Sequence, residues 1–369
     1  MKGSTSLTQA RLTIDLAAIV ANWQHLSRRA NPAIAAGVVK ADAYGLGMRE
    51  VAPALARAGC GTFFVAHATE GAALRQIIGA SCAILVLNGG PLEDSAMALF
   101  QKHNLQPVLS SLPELAFWAR AQQASDALPA CAVHFDTGMN RLGLGAQDSA
   151  AARALSPWLV MSHFVASEIP HDPHNAAQIA RFAAIRAAFP QAKASLANSS
   201  GIFLGAEALH DLVRPGFALY GGNPCPQSPN PMRAVVRLDV PLLMLRDVAP
   251  GETIGYGGHF TAPHAMRVAT LPLGYADGFA RLAGAVQDTN SSAFALLAGK
   301  KCPFLGRVSM DLSVIDISAV PKSALRPGAM VQILGPDITI DELATRSNRI
   351  GYEVLTSLGR RFERVYLNA

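Results

Sequence analysis

Short apolar runs recur through the first two-thirds of the chain, and stretches with a helical period separate them. The runs fall at 34–40, 62–66, 83–88, 106–110, 131–137, 158–164, 193–198 and 211–216. Runs of this length without polar alternation are expected of parallel strands buried on both faces. Leu16, Ile19, Val20 and Trp23 follow i, i+3, i+4, i+7 spacing and predict an opening helix from Asp15. Ser111, followed by Pro113 and Glu114, predicts a capped helix over 111–126. A third helix is expected over 175–189, with Ile179, Phe182, Ala183 and Ile185 near one face. Eight strands alternating with helices over about 220 residues predict an α/β fold, a (β/α)8 TIM-type barrel.

From Ala234 the pattern changes. AVVRLDVPLLMLRDVAPGETIGYGGHF reads as strands around a turn at Pro250-Gly251. Further strand-like runs lie at 267–273, 303–308, 312–317 and 330–334, and Thr339 to Glu342 has the spacing of a capping box. The intervening NPCPQSPNP has the composition of a linker. The expected organisation is a barrel domain over 1–233 and a C-terminal β-rich domain over 234–369, with a first strand near 11–14 pairing with the second domain.

Half the residues are hydrophobic and 15% are charged, which allows a sizeable core and excludes a largely disordered chain. No apolar run is long enough to span a bilayer, and the N-terminus lacks the apolar stretch of a signal peptide. Cys60, Cys82, Cys131, Cys225 and Cys302 are dispersed, with no CxxC pair. That set points to a reducing, cytoplasmic setting and away from a metal site. The net charge of +5 is spread out. Its densest stretch, Arg360-Arg361-Phe362-Glu363-Arg364, reads as a solvated or salt-bridged helix end, since no nucleic-acid motif accompanies it. Neither nucleic acid nor membrane is expected as a partner.

The residues with chemical potential gather at the C-terminal ends of the predicted strands: Lys40, then His134, Asp136 and Arg141, then His163, Asn198 and Ser199, and finally Arg214 and Gly216. Barrel active sites form at that face. Lys40 closes an apolar strand before a Gly-rich turn, where desolvation would lower its pKa and free its amine for a Schiff base. On its own it reads more readily as a surface lysine. Tyr256 between two glycines reads alone as a locally packed turn residue, His163 as structural, and Arg214 as the partner of a carboxylate such as Asp211.

The surrounding strings alter those readings. VVKADAYGLG (38–47), DTGMNRLG (136–143), SHF (162–164), ANSSG (197–201), VRPGFALYGG (213–222), GYGGHF (255–260), LPLGYADG (271–278), GRVSMD (306–311) and GYEVL (351–355) together resemble alanine racemase, in order and over nearly the whole chain. The resemblance implies a pyridoxal 5'-phosphate (PLP) enzyme, a homodimer with shared active sites, that interconverts L- and D-alanine with two bases. Lys40 would carry the cofactor and act as one base; Tyr256, from the partner subunit, would be the other. Arg214 would donate to the pyridine nitrogen, and His163 would pack on the ring. Tyr44, Asn198, Ser199, Gly216, Phe217 and Tyr352 would bind the cofactor, chiefly its phosphate. Arg141 would meet the substrate carboxylate, with Met310 and Tyr275 contributed by the partner subunit.

Two positions depart from the family pattern. His134 stands where many members have a carbamylated lysine that orients the arginine equivalent to Arg141. Here His134 accepting a hydrogen bond, a bound chloride or a nearby carboxylate would have to serve. Asp42 stands where Asn is common. Three rivals are weighed: a racemase of serine or broader range, a non-catalytic PLP-binding barrel, and a decarboxylase of similar design. The domain carrying Tyr256 argues against the second. Arg214, where decarboxylases place a carboxylate, argues against the third.

Overall fold

A computed structural model describes residues 9–125, 127–285 and 292–368. It divides into two units: Ala17–Arg233, and the chain start through Leu16 together with everything from Ala234 onward.

In the first unit seven parallel strands pair in chain order: Gly37–Val38, Thr62–Val65, Ala83–Val86, Gln106–Leu109, Ala132–His134, Leu159–Met161 and Lys193–Ser195. Leu212–Val213 closes the ring. It pairs with Ile34–Ala35, and the amides of Ala36 and Val38 donate to the carbonyls of Val213 (2.9 Å) and Pro215 (3.1 Å). On its other side the amides of Asp211 and Arg214 donate to Ala194 (3.0 Å) and Ala197 (2.9 Å). The eight apolar runs are thus the barrel strands, and Phe63, Phe64, Val65, Val108, Leu109 and Val133 are fully buried along them. Burial on both faces explains why they carry no polar alternation.

The expected helices form with shifted ends. Leu16–Ala30 directly follows a strand that ends at Asp15. Ser111 caps Leu112–Ala124, its Oγ accepting from Glu114 N at 3.4 Å; the expected end at Asp126 lies outside the described residues. The helix expected to open at Asn175 runs from Pro173 to Ala187, because Asp172 caps it and Pro173 occupies the first turn, where a missing N–H costs nothing.

In the second unit nine strands form one sheet in the order Met244–Val248, Met266–Leu271, Ser313–Asp316, Lys300–Leu305, Phe294–Leu297, Met330–Leu334, Val236–Pro241, Arg11–Asp15, Glu363–Leu367. The N-terminal strand pairs antiparallel with Val236–Pro241 and parallel with Glu363–Leu367. Gly251, at φ 84, makes the expected turn. Thr339 Oγ1 caps Ile340–Arg346 through Glu342 N at 3.1 Å. The basic run near the C-terminus is not a helix end. Arg361 sits in a turn, 2.7 Å from both Asp277 and Asp311, and the chain then enters the strand Glu363–Leu367. Among the described residues no helix is long and apolar enough to cross a membrane.

Candidate active site

Lys40 stands two residues after the strand Gly37–Val38, at the barrel's C-terminal face, and begins an unusual turn. Ala41, Asp42, Ala43 and Tyr44 follow at φ 53, 54, 54 and 56. A left-handed conformation costs L-residues roughly 1–2 kcal/mol apiece, so four in succession must be held by the surroundings. The amides of Ala43, Gly45 and Gly47 donate to the carbonyls of Val39, Ala41 and Asp42 at 2.8–2.9 Å. Gly45 and Gly47, at φ 82 and 99, let the chain leave the turn. Asp42 Oδ1 then accepts from Met48 N at 2.7 Å and opens the helix Met48–Arg57. The carboxylate at position 42 therefore starts a helix. Burial, and then the charge of Arg141, lower the Lys40 pKa; Glu70 opposes them.

Arg214 is 4% exposed and follows the last barrel strand. Its guanidinium donates to Ser195 Oγ, to the carbonyls of Ser162 and Leu196, and to His163 Nδ1 at 3.3 Å. Burial pulls it down to about 9, so it stays charged at neutral pH. Every one of these partners is neutral. Asp211 turns instead to Arg186 at 3.2 Å and to Ala194 N at 2.8 Å. Because guanidinium only donates, His163 Nδ1 must be the acceptor. Burial, with Arg214, Arg141, His134 and Lys40 nearby, holds His163 well below the ordinary histidine value. Burial and the charges of Arg214 and Arg141 likewise hold His134 down to about 4.

Beside these groups lies a small polar cradle. Ser199 Oγ accepts from the amides of Gly216 (3.0 Å) and Ala218 (3.2 Å). The Tyr44 hydroxyl lies so close to Gly216 that any Cβ there would strike it. Phe217 opens the turn Phe217–Tyr220 and is buried. Asn198 Oδ1 accepts from Gly201 N at 2.9 Å and from Ser167 Oγ at 2.8 Å, which fixes the loop carrying Ser199. Only a 3-10 turn, Gly201–Phe203, follows Ser199, and the N–H groups that meet its hydroxyl come from the Gly216 turn.

Asp136 builds the loop that bears Arg141. Its Oδ1 accepts from the amides of Gly138 and Met139, and its Oδ2 from Asn140, each at 2.8 Å. Arg141 itself is exposed. Among the described residues its guanidinium hydrogen-bonds neither His134 nor any carboxylate, so neither of those protein groups orients it here.

Tyr256, Tyr275, Met310 and Tyr352 belong to the second unit. Tyr256 is 73% exposed at the tip of the hairpin formed by Thr253–Ile254 and Phe260–Thr261. Tyr275 and Met310 are neighbours: the amides of Tyr275 and Ala276 donate to the carbonyls of Ser309 (3.1 Å) and Met310 (3.0 Å). Tyr352 lies in the helix Gly351–Thr356 with its side chain partly exposed.

Two further residues build the lysine site, neither of them marked by the sequence. The Tyr220 hydroxyl donates to the Val38 carbonyl at 2.8 Å, and its ring packs at a tilt against that of Tyr44, with centroids 4.8 Å apart. Glu70 binds the amide of Ala41 at 2.7 Å. Only its position three residues after His67 hinted at a helix-start role.

Comparison with known proteins identifies the family. The family model for the N-terminal domain of alanine racemase matches residues 14–224, and that for its C-terminal domain residues 235–366. The alanine racemase of Methylobacterium nodulans is 50% identical over 371 residues, covering 99% of this chain and 98% of the relative. That of Rhodospirillum rubrum is 46% identical over 374 residues, covering 99% and 97%. The crystal structure of alanine racemase from Bartonella henselae, with covalently bound pyridoxal phosphate, superposes with a TM-score of 0.90 at 34% identity, covering 97% of this chain and 99% of that one. The chain belongs to the alanine racemase family.

Proposed function

We propose that the protein interconverts L- and D-alanine with pyridoxal 5'-phosphate held by Lys40. The observation that carries this reading is the desolvated Lys40, set among Arg141, Arg214 and two neutral histidines beside the Ser199–Gly216 cradle. The residues fit the cofactor. A buried guanidinium that meets only neutral acceptors favours a ligand atom with a lone pair. The cluster of cations favours an anion. Hydroxyls and amides converging at a glycine suit a phosphate group. When bound, the cofactor supplies the conjugated system that makes the substrate's α-hydrogen acidic.

The chain's own groups divide the remaining work. Lys40, whose burial and the nearby Arg141 charge lower its pKa, sheds a proton more readily than an ordinary lysine and exchanges a proton on one face of the α-carbon. The partner subunit's Tyr256 accepts or returns the proton on the other face; the exposure of this side chain on a hairpin tip suits a second chain's site. Arg214 keeps its proton and would present N–H donors to the cofactor's pyridine nitrogen, which would favour that nitrogen's unprotonated form. Neutral His163 buttresses Arg214 through Nδ1 and would pack against the cofactor's ring. Ser199, Gly216, Phe217, Asn198, Tyr44 and Tyr352 hold the phosphate. Arg141 meets the substrate carboxylate, and Met310 and Tyr275 of the partner subunit border the substrate.

The test is racemisation by the purified protein reconstituted with the cofactor. L-Alanine is expected to lose its optical rotation, with alanine preferred over serine, lysine and arginine. K40A should lose both turnover and the absorbance near ~420 nm that the lysine-bound cofactor confers. Retained turnover in K40A, or carbon dioxide release in place of racemisation, would overturn the reading.

A further inference from the structure

We infer that Glu70 is the positioning residue for Lys40: its carboxylate clamps the amide next to the lysine and holds the left-handed turn that starts there. The inference rests on the reading of Lys40 as the cofactor's anchor. Glu70 is the third residue of the helix Ala68–Ile78, which follows the second barrel strand. Its Oε1 accepts from Ala41 N at 2.7 Å, while its Oε2 accepts from Ala66 N at 2.7 Å and His67 N at 3.1 Å. One side chain therefore joins the end of its own strand to the rim loop before it.

The device recurs around the barrel mouth. Glu114, third in Leu112–Ala124, accepts from Ser110 N (2.7 Å) and Ser110 Oγ (3.2 Å) on one oxygen and from Gly90 N (3.1 Å) on the other. Gln178 accepts from Val165 N at 2.8 Å and donates to the His163 carbonyl (2.9 Å) and Thr137 Oγ1 (3.1 Å). At Glu70 the clamped loop is the one with four consecutive residues at positive φ. That turn has relaxed alternatives, and a charged acceptor on its first amide is a strong restraint against them. Glu70 is also the carboxylate whose charge favours a protonated Lys40 against the effect of Arg141.

A carboxylate is required because N–H donors lie on both of its oxygens. E70Q has one acceptor. If the amide oxygen keeps Ala66 and His67, its NH2 faces the N–H of Ala41 and the clamp opens. E114Q makes the same change where no lysine is held, and so serves as the matched control.

The test uses the full-length apoprotein, with pyridoxal phosphate added and the adduct at Lys40 fixed by borohydride and counted by mass spectrometry over time. E70Q is expected to capture the cofactor about tenfold more slowly, with faster amide exchange over residues 41–47. E114Q should stay within about twofold of the parent chain. Adding A41G to E70Q should restore most of the rate, since glycine reaches a positive φ without steric cost. Capture by E70Q at the parental rate, or equal slowing in E114Q, would overturn the inference. So would unprotected exchange at the Ala41 amide of the unmodified protein, a measurement that needs no variant. A parent chain that forms no adduct at Lys40 would instead overturn the functional reading on which this rests.

Discussion

Burial and two guanidinium groups keep the His134 ring uncharged, with its pKa near about 4 where an ordinary histidine lies at 6.5. The unfolded chain therefore binds more protons than the folded one between those values. The resulting stabilisation is complete above pH ~6.5 and drains away as the pH falls through ~4, with a magnitude of about 3 kcal/mol. His163 is shifted in the same direction. We expect urea unfolding of the apoprotein to show stability falling between pH 7 and 4, and H134Q to flatten that fall by about 3 kcal/mol. Parallel pH curves for the two proteins would refute the assignment. Lys40, Ser199, Arg214 and Gly216 were legible because each sits in a contiguous string at a strand end. The pairing of Arg214 with Asp211 was a natural guess and fails for a geometric reason: residues three apart on extended chain point to opposite faces. Glu70 and Tyr220 were not legible, because pairing of the first two barrel strands is what brings Ala41 to Glu70, and closure of the barrel is what brings Val38 to Tyr220.

A buried amide ties the barrel unit's first helix to its last segment. Asn22 Nδ2 donates to the carbonyls of Leu219 (3.2 Å) and Arg233 (3.0 Å), and its Oδ1 accepts from Arg233 N at 2.8 Å. N22A would leave three backbone groups short of a partner, at a cost of about 2–4 kcal/mol. Chemical denaturation should register it; a loss below ~0.5 kcal/mol would mean that water replaces the amide without penalty. Elements with local signals were readable: the Ser111 and Thr339 caps, the Pro250-Gly251 turn and the apolar barrel strands all formed as expected. Glu363–Leu367 was not, because it is a half-exposed strand with charges at its start, and its partner among the described residues, Arg11–Asp15, lies more than three hundred residues earlier in the chain. Phe294–Leu297 is four residues long and offered no period to read.

For the whole molecule, the reading of two shared sites in a homodimer makes a prediction that neither half of the site makes alone. K40A and Y256F should each be nearly inactive, since each lacks one proton acceptor at both sites. Mixed and allowed to exchange subunits, they should regain up to about a quarter of the parental activity, because a hybrid dimer carries one intact site. A mixture as inactive as its components would count against shared sites.

The chain also laces itself in a way that bears on its birth. Arg11–Asp15 emerges from the ribosome before the barrel, yet its neighbours Val236–Pro241 and Glu363–Leu367 emerge only after it. At roughly 5–20 residues per second, that strand waits many seconds with Leu12 and Ile14, fully buried in the finished sheet, still uncovered. The barrel can collapse co-translationally, while the nine-stranded sheet can be sealed only after Glu363–Leu367 has been made.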